Sequence, residues 1–236
     1  MNFASAFTPE KLQEAWECLL NEFPFAMWET LYSTLLATFF AIVIGLPLGV
    51  ILVTGESKGI RPLPAPVMSF LNVLINLLRS VPFIILMVMI IPLTRLIIGT
   101  SVGTVASIVP LTVAAFPFMA RLVESSLREV NPNIIEAAQS MGASTLQIVT
   151  RVMLPESVPS LITNFTLAIT TIMGYTAMSG AVGGGGLGKL APAYGYQRYR
   201  FAVLYLAVIV LVIITQVIQS FGTWLARQCD KRLKEK

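Results

Sequence analysis

Gly183, Gly185 and Gly188 fall at the G-x-G-x-x-G spacing, and residues 183–189 come close to a phosphate-binding loop. Such a loop aims backbone N–H groups at phosphate oxygens and follows its lysine with a Ser or Thr that holds magnesium. Here Leu190 follows Lys189, and no strand precedes the glycines. The segment is therefore expected to be a glycine-rich turn that lets backbones pack closely, rather than a nucleotide site. Other catalytic chemistry is poorly supplied. The chain has no histidine, which removes the commonest proton shuttle and metal ligand. Glu29 and Glu124 stand near the ends of apolar runs and no acid stands in the middle of one, whereas proton-driven carriers commonly use such acids as relays. If this chain moves a solute uphill, the energy must come from elsewhere.

One charge does stand deep in an apolar run. Arg79, in the stretch Asn76-Leu77-Leu78-Arg79-Ser80-Val81-Pro82, would be costly if left unpaired in hydrocarbon. Two readings stand: it snorkels or caps a broken helix, or it faces a water-filled path, a carbonyl cluster or a partner chain, with a substrate carboxylate as one conceivable ligand. A later run mixes Asn164, Thr166, Thr170, Thr171, Thr176 and Ser179 with its apolar residues and also holds Tyr175. Such residues usually bond helix to helix, and lining a pathway is the second reading. The two are compatible at a dimer interface. Arg79, Asn164, Thr170 and Tyr175 are the pathway candidates, while Met173 and Met178 read as packing filler.

The elements that must position these residues follow from composition. Hydrophobic residues make up 56% of the chain and charged residues 12%, and the mean hydropathy is +0.79. This is the composition of an integral membrane protein. Apolar runs at about 25–53, 65–98, 102–123, 158–182 and 201–226 are long enough to cross about 30 Å of hydrocarbon at about 1.5 Å per residue. An all-α, five-span fold is expected. The second run exceeds one straight crossing, so Pro82 and Pro92 should bend it, or 79–82 should divide it into a re-entrant pair.

Between the third and fourth runs lies the polar segment 131–159, NPNIIEAAQSMGASTLQIVTRVMLPESVP. It reads as two short helices. Asn131 or Asn133 caps the first, Gly142 ends it in the left-handed conformation, Ser144 with Gln147 forms a capping box for the second, and Pro155 stops that helix. A folded internal loop of this kind is either a docking surface or a short interfacial connector. Basic residues orient it. Arg227, Lys231, Arg232, Lys234 and Lys236 in the tail 227–236 place the C-terminus inside, and alternation then puts the loop in the cytoplasm and the N-terminus outside. Residues 1–24 lack the features of a cleavable signal. Thr8 and Pro9 start a helix whose Leu12, Ala15, Trp16, Leu19, Leu20 and Phe23 share one face, suited to the outer membrane surface or, less simply, to a partner. Cys18 and Cys229 fall on opposite sides and are not expected to pair.

Glu136-Ala137-Ala138, then Gly142, then Leu154-Pro155 resembles the EAA loop of permease subunits of bacterial ATP-binding-cassette importers. The likeness extends over most of the chain to the methionine-importer permeases. It runs through Trp28-Glu29-Thr30-Leu31, Gly45-Leu46-Pro47-Leu48-Gly49, Arg79-Ser80-Val81-Pro82-Phe83, Gly99-Thr100-Ser101, Ile108-Val109-Pro110 and Ala181-Val182-Gly183. Only about the first two dozen residues look like an extension. The resemblance implies a type I importer permease fold, with a permease domain over 25–226, in a bacterial inner membrane. It implies a second copy of the chain, two cytoplasmic ATPase subunits that carry the ATP and magnesium, and an extracytoplasmic methionine-binding protein. No cofactor on this chain and no nucleic-acid partner are expected. The loop would act as a coupling helix, with Glu136 as a polar contact, Ala137 and Ala138 allowing close approach, Gly142 turning the chain, and Leu154-Pro155 completing the motif.

Overall fold

The computed structural model describes residues 8–230. Lys231, Arg232, Lys234 and Lys236, and the side chains of Lys11 and Leu12, lie outside that description. The described residues form helices and connecting turns with no strand. In chain order the helices are α1 (Pro9–Asn21), α2 (Phe23–Thr54), α3 (Ala65–Ser80), α4 (Phe83–Met89), α5 (Ile91–Ile98), α6 (Thr104–Arg128) and α7 (Pro132–Ser140). Then follow α8 (Thr145–Ile148), a π-helical turn (Val149–Met153), α9 (Leu154–Glu156), α10 (Val158–Ala181), α11 (Leu187–Pro192), a second π-helical turn (Ala193–Gln197) and α12 (Phe201–Cys229). Among the described residues α2, α6, α10 and α12 are each long and apolar enough to cross a membrane, and α3 with α4 makes a fifth span when counted as one broken helix.

The second apolar run is broken rather than smoothly bent. Pro82 has no N–H to donate and pushes the residue before it out of the helical region, and Val81 is extended at φ −79° and ψ 124°. A second break falls at Ile90, just before Pro92 in the first turn of α5.

The chain divides into two compact units. One comprises the described part of Met1–Thr38 with Pro82–Thr112 and Ile169–Ile218, the other Phe39–Val81, Val113–Ala168 and the described part of Gln219–Lys236. In the first unit, α1 is held by a cluster of Ala15, Phe23, Ala26, Leu187, Tyr194, Ala202, Val203 and Ala207. Leu19 packs against the same cluster, while Trp16 and Leu20 stay exposed. The Tyr194 hydroxyl donates to Glu22 Oε1, and that bond holds the phenol above its ordinary pKa. Burial, aided by nearby Glu22, likewise raises the Cys18 thiol.

In the second unit, α2 and α6 meet without side-chain spacing. A Cβ on Gly45 would lie 2.7 Å from Met119 Cβ, and one on Gly49 2.6 Å from Val123 Cβ and 2.7 Å from the Ala120 carbonyl oxygen. Glycines four residues apart thus make the flat face that lets two membrane helices approach closely.

Candidate functional site

The segment 131–159 folds on its own capping groups. Asn131 Oδ1 accepts from the Asn133 N–H at 3.0 Å, and Pro132 occupies the first turn of α7, where no partner for an N–H is needed. At the other end Ala143 N–H donates to Ala138 O and Gly142 N–H to Gln139 O, with Gly142 at φ +78°. This is the paired C-terminal closure in which a left-handed glycine reverses the chain. Ser144 and Gln147 then form the reciprocal capping box of α8. The expectation that Pro155 ends the second helix is corrected: α8 continues through the π turn into α9 as far as Glu156. Leu154 N–H bonds to Val149 O, five residues back. The widened turn offsets the i−4 bond that Pro155 cannot make.

One side of this folded loop faces its own unit. Ala138, Ile148, Val149 and Met153 are buried with Val123, Leu127 and Leu161, and Leu154 and Ile135 pack against them. Ala138 therefore spends its small size on the loop's internal packing. Glu136, Ala137, Gln139, Gly142 and Pro155 are exposed, and Glu136 and Gln139 line a cavity with Glu56, Lys58 and Arg128. Three apolar side chains of the loop are exposed as well: Met141 at 82%, Leu146 at 72% and Ile134 at 42% of full exposure. All three lie outside the membrane-length helices. Sequence reading did not single out Ile134, Met141 or Leu146. The signal was present, since a capped helix exposes both an inward and an outward apolar position.

Above the loop a charged network runs along α6. Arg128 makes a two-pronged pair with Glu56, at 3.0 Å and 2.7 Å, and also reaches Glu124 at 2.8 Å. Glu124 accepts from Arg121 at 2.7 Å. Arg121, which sequence reading passed over, also donates to Asn72 at 2.8 Å and Asn76 at 3.0 Å. Its signal was a basic residue i−3 to Glu124 inside an apolar run, with two amides, Asn72 and Asn76, four residues apart on α3. The hydrogen bond from Arg128 holds the Glu56 carboxyl below its ordinary pKa. A carboxylate with a lowered folded pKa stabilises the protein above its unfolded value and loses that contribution as pH falls through the folded one. Melting temperatures in detergent of wild type and Glu56→Gln should therefore differ at neutral pH and converge below the usual carboxylate range. A gap that persists in acid would separate the effect from ionisation.

Of the pathway candidates, Arg79 and Asn164 belong to the second unit, Thr170 and Tyr175 to the first. Arg79 is exposed at the end of α3. Asn164 bonds α10 to α6, donating to Leu122 O at 3.2 Å and Ser126 Oγ at 2.8 Å. It also lines a hydroxyl-rich cavity of about 520 Å³ with Ser126, Ser160, Thr163 and Thr223. Tyr175 stacks on Phe83 with centroids 4.8 Å apart, and Thr170 is half-buried.

The glycine-rich segment does hold an anion, but one from its own chain. The Glu29 carboxylate accepts from Gly186 N–H at 2.8 Å and from the Thr104 hydroxyl at 2.6 Å. Leu187 N–H donates to Thr30 Oγ1 at 2.9 Å. These amides are thereby used in closing the first unit.

Among the described residues these elements define a multi-pass helical membrane protein with a capped, partly apolar loop between two of its spans. Residues 45–235 match the family model described as binding-protein-dependent transport system inner membrane component, and the chain belongs to that family. It is 47% identical over 207 residues to the probable D-methionine transport system permease protein MetI of Vibrio cholerae, covering 88% of this chain and 92% of that one. The corresponding protein of Pasteurella multocida is 50% identical over 205 residues, covering 86% and 94%. Among solved structures, the native crystal form of the inward-facing MetNI methionine ABC transporter matches with a TM-score of 0.88 at 43% identity, over 91% of this chain and 99% of that chain. The chain is thus a multi-pass inner-membrane permease, with the permease fold of that transporter.

Proposed function

We propose that this chain is the membrane-spanning permease subunit of an ATP-driven methionine importer, working by alternating access. The observation that carries the reading is the capped loop between two spans, on which Glu136, Ala137, Ile134, Met141 and Leu146 are all exposed. Two cytoplasmic ATPase subunits hold the ATP and magnesium and grip this loop, one on each of two copies of the chain. The chain itself catalyses no reaction. An extracytoplasmic binding protein delivers methionine, and closure of the ATPases moves the loops and hence the helices. Glu136 supplies a polar contact, Ala137 the close approach, and Gly142 the turn that aims α8. Arg79, Asn164, Thr170 and Tyr175 line the pathway.

The test is ATP-dependent uptake of labelled methionine into proteoliposomes holding this chain, its ATPase and its binding protein, with wild type against Glu136→Lys. Uptake that needs all three components and falls at least about tenfold in the variant supports the reading. Uptake by the chain alone overturns the ATPase-driven mechanism. ATP-driven uptake of another amino acid in place of methionine keeps the mechanism and changes the cargo.

The same reading puts the N-terminus and α1 outside and the loop and C-terminus inside. In a chain carrying Cys18→Ser and Cys229→Ser, a cysteine at position 16, in place of Trp16, should react with a membrane-impermeant maleimide in spheroplasts. Met141→Cys should react only in inside-out vesicles, and less once ATPase is added. Labelling of Met141→Cys from outside would reverse the topology.

A further inference from the structure

We propose that Arg121 is a positioning residue that clamps α3 to α6, so that displacement of the loop reaches the helix carrying Arg79 instead of being lost between the two helices. This rests on the reading that the loop receives the work of an ATPase. The structure supplies the parts. Arg128 ends α6 immediately before the loop, and from it the bonds run without a gap through Glu124 to Arg121. Arg121 then spans to α3, where Asn72 and Asn76 stand one turn apart and both present their Oδ1. Asn72 Nδ2 donates to Met68 O at 2.9 Å, which orients the amide so that its oxygen faces the guanidinium.

The clamp is specific in register. Sliding α3 along α6 by one helical turn, about 5.4 Å, would bring one amide into the other's place and leave a fixed guanidinium with one of its two amide oxygens. In a low-dielectric setting a guanidinium that loses such a partner is destabilised, so the register with both bonds is preferred. The Arg121 side chain is only 20% exposed and that of Glu124 12%, leaving little water to substitute for the lost bonds. By contrast, α10 is tied to α6 through the neutral groups of Asn164, Ser126 and Ser160. Neutral pairs are easier to exchange, whereas α6 holds α3, like the turn that carries Glu56, through a charged guanidinium.

The experiment uses the reconstituted complex and reads methionine uptake and ATP hydrolysis separately. Asn72→Leu with Asn76→Leu should insert and bind ATPase normally and keep hydrolysing ATP, while uptake per ATP falls about tenfold. Arg121→Lys, which keeps the charge but not the fork, should retain more of that ratio than Arg121→Met. An unchanged ratio in the folded double variant would reduce the network to a structural tie and overturn the proposal. Should that variant fail to fold, Ile75→Cys with Ala120→Cys provides a second reading, since both residues share one buried cluster. In a chain carrying Cys18→Ser and Cys229→Ser, oxidising the pair directly to a disulfide leaves uptake intact if α3 and α6 move together. Loss of uptake on cross-linking means that the helices slide, and the clamp is wrong. Absence of ATP-driven uptake in wild type would instead sink the importer reading itself, on which the clamp depends.

Discussion

Replacing Leu146 by Asp, or Met141 by Asp, is expected to abolish ATP-driven uptake and to prevent co-purification of the ATPase, while the chain still inserts and melts as wild type. Both side chains project from the loop with most of their surface free, so nothing in the permease's own packing depends on them. On the proposed docking surface they would serve as anchor residues, and truncating or charging such an anchor costs about 2 kcal/mol or more, about thirtyfold in affinity. The contrast is Ala138→Asp, which would place a carboxylate among Val123, Leu127, Ile148 and Leu161 and damage the loop itself. The measurement is pull-down of ATPase by tagged permease at equal permease yield. Retained ATPase binding by Leu146→Asp would show that the outer face of the loop is not the interface.

A second large effect is expected from the approach of α2 and α6. Gly49→Ala adds a Cβ that meets Val123 Cβ at 2.6 Å and the Ala120 carbonyl at 2.7 Å. The carbonyl belongs to the helix backbone and cannot rotate aside, so the helices must separate. Overpacking of this kind costs about 1–3 kcal/mol, and Gly49→Leu should exceed that range and lower the yield of folded protein. The readout is the melting temperature in detergent, falling from wild type through Gly49→Ala to Gly49→Leu. An unchanged melting temperature in Gly49→Leu would mean that the close contact is not maintained.

Much of the site was legible because its signals are local. Asn131 caps a helix with its own side chain, Ser144 and Gln147 satisfy each other across three residues, and Gly142 is required wherever the backbone turns left-handed. None of these needs a distant partner. Pro155 misled for the same reason. Its local rule is to end a helix, but a single π turn resolves the missing bond, and only the packed loop selects that turn. The break at Val81 was foreshadowed by Pro82, whereas whether the run bends or breaks depends on the backbone on both sides.

The sequence by itself determined that the protein is helical and membrane-embedded, where its apolar runs begin and end, and that a capped loop stands between two of them. These follow from hydropathy and capping, both short-range along the chain. Only the tertiary structure decided which face of that loop is free, turning Ala138 inward and Leu146 outward. It alone paired Arg128 with Glu56, 72 residues away, and Gly186 with Glu29, 157 residues away. A pairing of that separation depends on which faces the helices present to each other, and that is set by packing, which no window of sequence contains.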